Sequence, residues 1–128
     1  MHLIKVISLS LFICLFFKID SANIHHTQEG KGKVVFYRKK KFSGSAIAFN
    51  IQDSERNYGP LKNGESFTIS VEPGERTFFS EVLTSDAVTL NIEADKTYYV
   101  KATVRVGYYA GRPQLQQVDE KTAKKEMK

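Results

Sequence analysis

The chain has 128 residues, nineteen Lys and Arg against fourteen Asp and Glu for a formal charge of +5, and 41% hydrophobic residues, with nine Phe and no Trp. That is enough for one small core but not for two domains, and the mild basic excess favours anionic partners without singling one out. The only cysteine is Cys14 and the histidines are His2, His25 and His26, so everything after His26 lacks a thiol for a disulfide or thiolate metal site and an imidazole for general-base catalysis.

Residues 1–22 read as an export signal. Lys5 precedes an apolar run from Val6 to Phe17, broken only by Ser8 and Ser10, and small Ser21 and Ala22 follow polar Lys18 and Asp20. The run is too short for a comfortable membrane span. The expectation is an exported chain, periplasmic or secreted, that is no integral membrane protein once the signal is cleaved; an uncleaved signal would tether it to the inner membrane. Cys14 sits in mid-run behind Leu11, Phe12 and Ile13, which is not the setting of a lipidated cysteine. Residues 23–32 are polar and glycine-bearing, a flexible lead-in, and residues 33–128 form the single expected domain.

Within that domain short strands alternate with turn chemistry. Val34 to Tyr37 is apolar or aromatic throughout, as in a strand covered on both faces, and a loop follows from Lys39 to Ser45. Ile47, Phe49 and Ile51 alternate, and a weak edge strand from Asp53 to Tyr58 is closed by the turn dipeptides Gly59-Pro60 and Asn63-Gly64. Phe67, Ile69 and Val71 alternate next. The turn Glu72-Pro73-Gly74-Glu75 then predicts a hairpin with the return strand from Thr77 to Leu83, where Phe78 and Val82 share a face. Val88, Leu90 and Ile92 alternate again before Glu93-Ala94-Asp95-Lys96 turns the chain.

The longest strand signal runs from Asp95 to Val106. Tyr98, Val100, Ala102, Val104 and Val106 fall on one face and Thr97, Tyr99, Lys101, Thr103 and Arg105 on the other. It is the expected central strand, and Tyr99 belongs to the structure if its face is covered and to a binding surface if that face is open. Gly107 ends the strand, Tyr108 to Pro113 make a connection, Leu115 to Val118 a last strand, and Asp119 the N-cap of a short C-terminal helix. The pattern predicts an all-β, antiparallel β-sandwich of about seven strands, or a closely related open barrel.

The turn residues carry a resemblance. The succession Gly32-Lys33-Val34-Val35-Phe36-Tyr37-Arg38, Phe42-Ser43-Gly44-Ser45, Leu61-Lys62-Asn63-Gly64, Val71-Glu72-Pro73-Gly74-Glu75-Arg76-Thr77-Phe78, Thr97-Tyr98-Tyr99-Val100 and Gly111-Arg112-Pro113 resembles the DUF2846 family of small exported bacterial envelope proteins. The resemblance implies a fold similar to prealbumin-like and peptidase-associated modules. It implies no catalytic residue, because the family has no established activity, and the mid-run Cys14 departs from the family's frequent lipid anchor.

The residues themselves argue against an enzyme. There is no Gly-x-Ser-x-Gly, no Ser-x-x-Lys and no Cys or His in the domain, and no cofactor is called for. Six cations, Lys31, Lys33, Arg38, Lys39, Lys40 and Lys41, lie between Glu29 and Asp53 with Tyr37 and Phe42 among them. They suit anionic headgroups or a surface polyanion, or else serve as a solvated loop that keeps an edge from pairing; export disfavours nucleic acid. Tyr108, Tyr109 and Arg112 offer stacking area and a planar cation for a peptide or glycan, or a core cap. His25 would complete a square-planar Cu(II) or Ni(II) site with the chain's free amine only if cleavage follows Ala22. The candidate binding residues are therefore Lys39, Lys40, Lys41, Tyr108, Tyr109 and Arg112. The expected role is a non-enzymatic envelope module that contacts another envelope protein or peptide through a strand edge or a loop end. The alternative is headgroup or glycan binding through residues 31–41 and 108–113.

Overall fold

A computed structural model describes residues 30–81, 85–106 and 111–128. Residues 1–22, read above as an export signal, and His25, Val82, Leu83, Tyr108 and Tyr109 lie outside the described residues. Eight strands, β1 (Gly32–Tyr37), β2 (Phe49–Gln52), β3 (Asn57–Leu61), β4 (Ser66–Val71), β5 (Gly74–Glu81), β6 (Ser85–Ile92), β7 (Thr97–Val106) and β8 (Gly111–Val118), precede one helix, α1 (Glu120–Glu126). They form two four-stranded sheets, ordered β4-β1-β7-β8 and β3-β2-β5-β6. The result is a sandwich and not a closed barrel.

Period-two alternation builds the core. Val34 and Phe36 of β1, Val100 and Ala102 of β7, and Leu115 of β8 face Phe49, Ile51, Leu61, Phe78, Leu90 and Ile92 of the other sheet. Phe36 meets Phe78 across the layers, with ring centroids 5.1 Å apart and an edge-on angle of 73°. Removing two such rings from water contributes about 2–3 kcal/mol each, plus a smaller term for the edge-to-face geometry.

β7 is central, as its length predicts, with β1 and β8 on its two sides. Its pairing with β1 is parallel, Val34 opposite Tyr98 and Phe36 opposite Val100, a parallel ladder within the expected, otherwise antiparallel sandwich. Long intervening chain makes such a pair possible. The expected hairpin between β4 and β5 is corrected. The two strands belong to different sheets, so the Glu72-Pro73 turn carries the chain across the sandwich, with Gly74 at φ 129°. Gly59-Pro60 lies inside β3 rather than after it, with Pro60 opposite Asn50; an edge strand tolerates the missing N–H. Gly111 to Pro113 already belong to β8, so Arg112 is a strand residue and not part of a loop.

α1 covers part of the outer face of the first sheet, over β1 and β7. Asp119 caps the helix by accepting from the Thr122 N–H at 2.9 Å, and Ala123 is fully buried beneath it. Glu126 joins two strands, accepting from the Tyr37 hydroxyl at 2.7 Å and from Lys101 Nζ at 2.6 Å. The Lys101 and Tyr37 hydrogen bonds hold the Glu126 carboxyl below the usual carboxylate range. Tyr99 donates to Glu120 at 3.4 Å and is half-buried. Around Tyr99 that face is covered by the helix, and Tyr99 belongs to the structure.

β1 starts packed against the end of β6. A Cβ on Gly32 would run into the Ile92 side chain and come within 2.9 Å of the Glu93 carbonyl oxygen, and backbone cannot yield as a side chain end can. Gly32→Ala is expected to lower unfolding stability by about 1–3 kcal/mol, read as a lower denaturant midpoint with an unchanged slope.

Candidate functional site

Three polar features stand out from this frame: a cationic tip, a buried carboxylate and an open strand edge. The tip follows β1. Period two continues one residue beyond the strand, so Arg38 points inward with Val34 and Phe36, and it is buried. Its guanidinium donates to the Gly44 carbonyl at 2.6 Å and to the Ile47 carbonyl, and it lies 5.5 Å from the centre of the Phe49 ring. A fork of donors aimed at two carbonyls fastens the following loop. A second tie is reciprocal, with the Lys41 N–H donating to Asn63 Oδ1 at 3.0 Å and Asn63 Nδ2 donating back to the Lys41 carbonyl at 2.8 Å.

Held at both points, the loop presents Lys39, Lys40 and Lys41 to solvent, with Phe42 98% exposed beside them. The loop packs by Gly44 against the far end of β7, where an added Cβ would sit 3.3 Å from Val104 and 3.7 Å from Val106. Val106 is itself 59% exposed. On the outer face nearby, Arg105 stands opposite Arg112 in register and both are exposed. Among the described residues Lys39, Lys40, Lys41, Arg105 and Arg112 take part in no ion pair.

The six-cation stretch of the sequence is therefore not one patch. Lys31, at the other end of β1, pairs with Glu72 at 3.3 Å, and Arg38 is inside. Of the predicted binding residues, Lys39, Lys40, Lys41 and Arg112 come to one end of the domain. Phe42 and Arg105 join them there. Their signals were present in sequence, an aromatic placed directly after three lysines and an arginine on the outward parity of β7, but only the register brings Arg105 to Arg112. A hollow of about 190 Å³ beside Lys40 is lined by Arg38, Glu65, Ser66, Glu126 and Lys128. Its acids are engaged, Glu65 by the Lys62 N–H and Glu126 by Lys101 and Tyr37.

The buried carboxylate is Asp53, just after β2. It accepts from the N–H groups of Glu55 and Arg56 at 2.8 and 2.9 Å, the Tyr58 hydroxyl at 2.6 Å and Arg76 Nη1 at 2.9 Å. Burial pushes the carboxyl pKa up, but the bonds from Tyr58, Arg56, Glu55 and Arg76 outweigh it and hold the value at about 2. Burial and the same contact push the Tyr58 hydroxyl up to about 12. With four donors on its two oxygens, Asp53 is a clamp between the β2–β3 turn and β5 rather than a proton acceptor for chemistry. Asp53 is thus an acid that stays ionised where general-base work would need a pKa near neutrality.

The open edge is β4. The Arg38 N–H donates to the Glu65 carbonyl at 2.9 Å, so alternation turns Phe67, Ile69 and Val71 toward β1 for hydrogen bonding. The N–H and C=O groups of Ser66, Thr68 and Ser70 point outward. Their side chains are exposed and small, and no described strand pairs with them. Two of the other three edges are guarded: β3 carries Pro60 beside an irregular register at Ile51 and Gln52, and the outward Leu115 N–H of β8 is taken at 2.7 Å by Asp86 of β6, the remaining edge strand. Sequence reasoning expected a contact edge without naming its residues. The signal was a six-residue strand with neither Lys nor Pro, the residues that usually guard an edge.

A two-sheet β-sandwich with a helix packed on one outer face, an unguarded edge at β4 and a cationic end is the class of protein these features define. The chain belongs to the family described as "Protein of unknown function (DUF2846)", whose model matches residues 28–114. No curated protein matches it. Among the described residues no helix is long and apolar enough to cross a membrane.

The Asp53 clamp sets an acid limit on stability. Its pKa is lower folded than the ordinary 3.8, so its contribution is full above about pH 4 and is lost as pH falls through about 2. Wild-type unfolding free energy is expected to drop by roughly 2 kcal/mol across that window from this group. Asp53→Asn is expected to be less stable at neutral pH and to lack that part of the drop, measured by urea unfolding at several pH values.

Proposed function

We propose that the chain is an exported, non-enzymatic module of the bacterial envelope that contacts another envelope protein by adding a strand to the β4 edge. The observation that carries this reading is the row of outward backbone groups at Ser66, Thr68 and Ser70, beside small hydroxyl side chains, on an edge with no charge or proline in it. Main-chain hydrogen bonds along such an edge supply affinity to an extended peptide, and alternate side chains supply selectivity. The composition of residues 1–22 supports export. The resemblance to small exported envelope proteins implies an envelope setting. The absence of Cys and His from residues 30–128, and an Asp53 committed to four donors, favour contact over catalysis.

Thr68→Pro removes an outward N–H while leaving the β1 ladder intact, and Thr68→Lys keeps the backbone but guards the edge with charge. In crosslinked affinity capture from the native envelope, the wild-type chain is expected to retain a protein partner that both variants lose by about tenfold or more. Circular dichroism is expected to be unchanged for Thr68→Lys. A partner held equally by wild type and both variants, or no partner held by the wild type, contradicts the β4 contact.

A further inference from the structure

The cationic tip has chemistry that the β4 edge does not use. Lys39, Lys40 and Lys41 are exposed and, among the described residues, unpaired, and the loop that bears them is fastened by Arg38 and Asn63. Phe42 follows with 98% of its surface in water, and Val106 is 59% exposed at the end of β7 on which the same loop packs. Arg105 and Arg112 face each other in register, an arrangement that destabilises a sheet pair unless an anion lies over it. An exposed aromatic ring is costly in water, and here it directly follows three exposed lysines. It is favourable where hydrocarbon and negative charge meet.

We infer that this end of the domain docks on an anionic membrane surface, with Phe42 entering the headgroup and acyl boundary and Lys39, Lys40, Lys41, Arg105 and Arg112 lying against lipid phosphates. Charge complementarity selects the occupant. Lys39, Lys40 and Lys41 are exposed along the loop that leads into Phe42, so they match a plane of charge rather than one small anion. The fastened loop also fixes Phe42 in place before docking, which lowers the ordering cost of insertion. Each lysine adds about fivefold to partitioning at low salt, or roughly a hundredfold for the three together. The docking does not depend on the β4 edge.

The chain has no tryptophan, so Phe42→Trp in the full chain is a single fluorescent reporter at an exposed position. On phosphatidylglycerol vesicles its emission is expected to shift to the blue and to be quenched by lipids brominated near the headgroup. About 0.5 M NaCl is expected to reverse the shift, and Lys39→Gln, Lys40→Gln and Lys41→Gln together to abolish it; phosphatidylcholine vesicles are expected to give none. The apolar run of residues 6–17 can itself carry the chain to lipid, and the reporter separates the two cases. A chain that floats with phosphatidylglycerol vesicles while the indole emission of the Phe42→Trp variant stays at its aqueous wavelength overturns the docking. An equal shift on phosphatidylcholine overturns it too.

Discussion

Every layer of the domain rests on β1, a strand with neighbours on both sides and cover on both faces. β4 and β7 flank it within its sheet, Phe36 packs on Phe78 of the opposite sheet, and the Tyr37 ring is buried on the other face, its hydroxyl bonded to Glu126 of α1. A short apolar strand with no polar face can be stable only under such double cover. The parallel pairing with β7 and the docking of a seven-residue helix follow from that need. The helix is too short to be stable alone; Glu126, held by Tyr37 and Lys101, attaches it to the two strands it must cover.

Enclosing β1 leaves its sheet with one edge free and its far end crowded with charge. β4 closes one side of β1 and exposes its own outer side, where Ser66, Thr68 and Ser70 end the sheet. Arg38, continuing the inward parity of β1, turns a loop that would otherwise be loose into a fixed presentation of Lys39, Lys40, Lys41 and Phe42. The second sheet is held differently, by a carboxylate with four donors rather than by helix cover. Fold and surface thus come from the same few residues: the clamps that finish the core are the clamps that position the tip.

Much of this was legible in the residue order. Alternation from Asp95 to Val106 located β7 and its central place, four consecutive apolar positions marked β1 as covered on both faces, and Asp119 announced α1. The strand partners were less legible. Nothing local distinguishes a Pro-Gly turn that makes a hairpin from one that crosses between sheets, since both need the same backbone angles, and the pairing of Val34 with Tyr98 is decided by packing between segments far apart in the chain. Gly59-Pro60 looked like a turn because propensity ignores that an edge strand can spare an N–H. Arg38 looked like one of six solvated cations. Its parity with Phe36 placed it inside, but the two carbonyls that receive it come from a loop whose path only tertiary structure sets.

The central claim, that β1 is enclosed while β4 is open along its outer side, is tested most directly by amide hydrogen exchange resolved by residue. The amides of Val34, Val35, Phe36 and Tyr37 are expected to exchange only through global unfolding, while those of Thr68 and Ser70 exchange faster by orders of magnitude. Phe67 and Ile69, which donate to β1, are expected to be protected in alternation with them. Equal protection of Thr68, Ser70 and the β1 amides would contradict the account, because something would then already cover the edge.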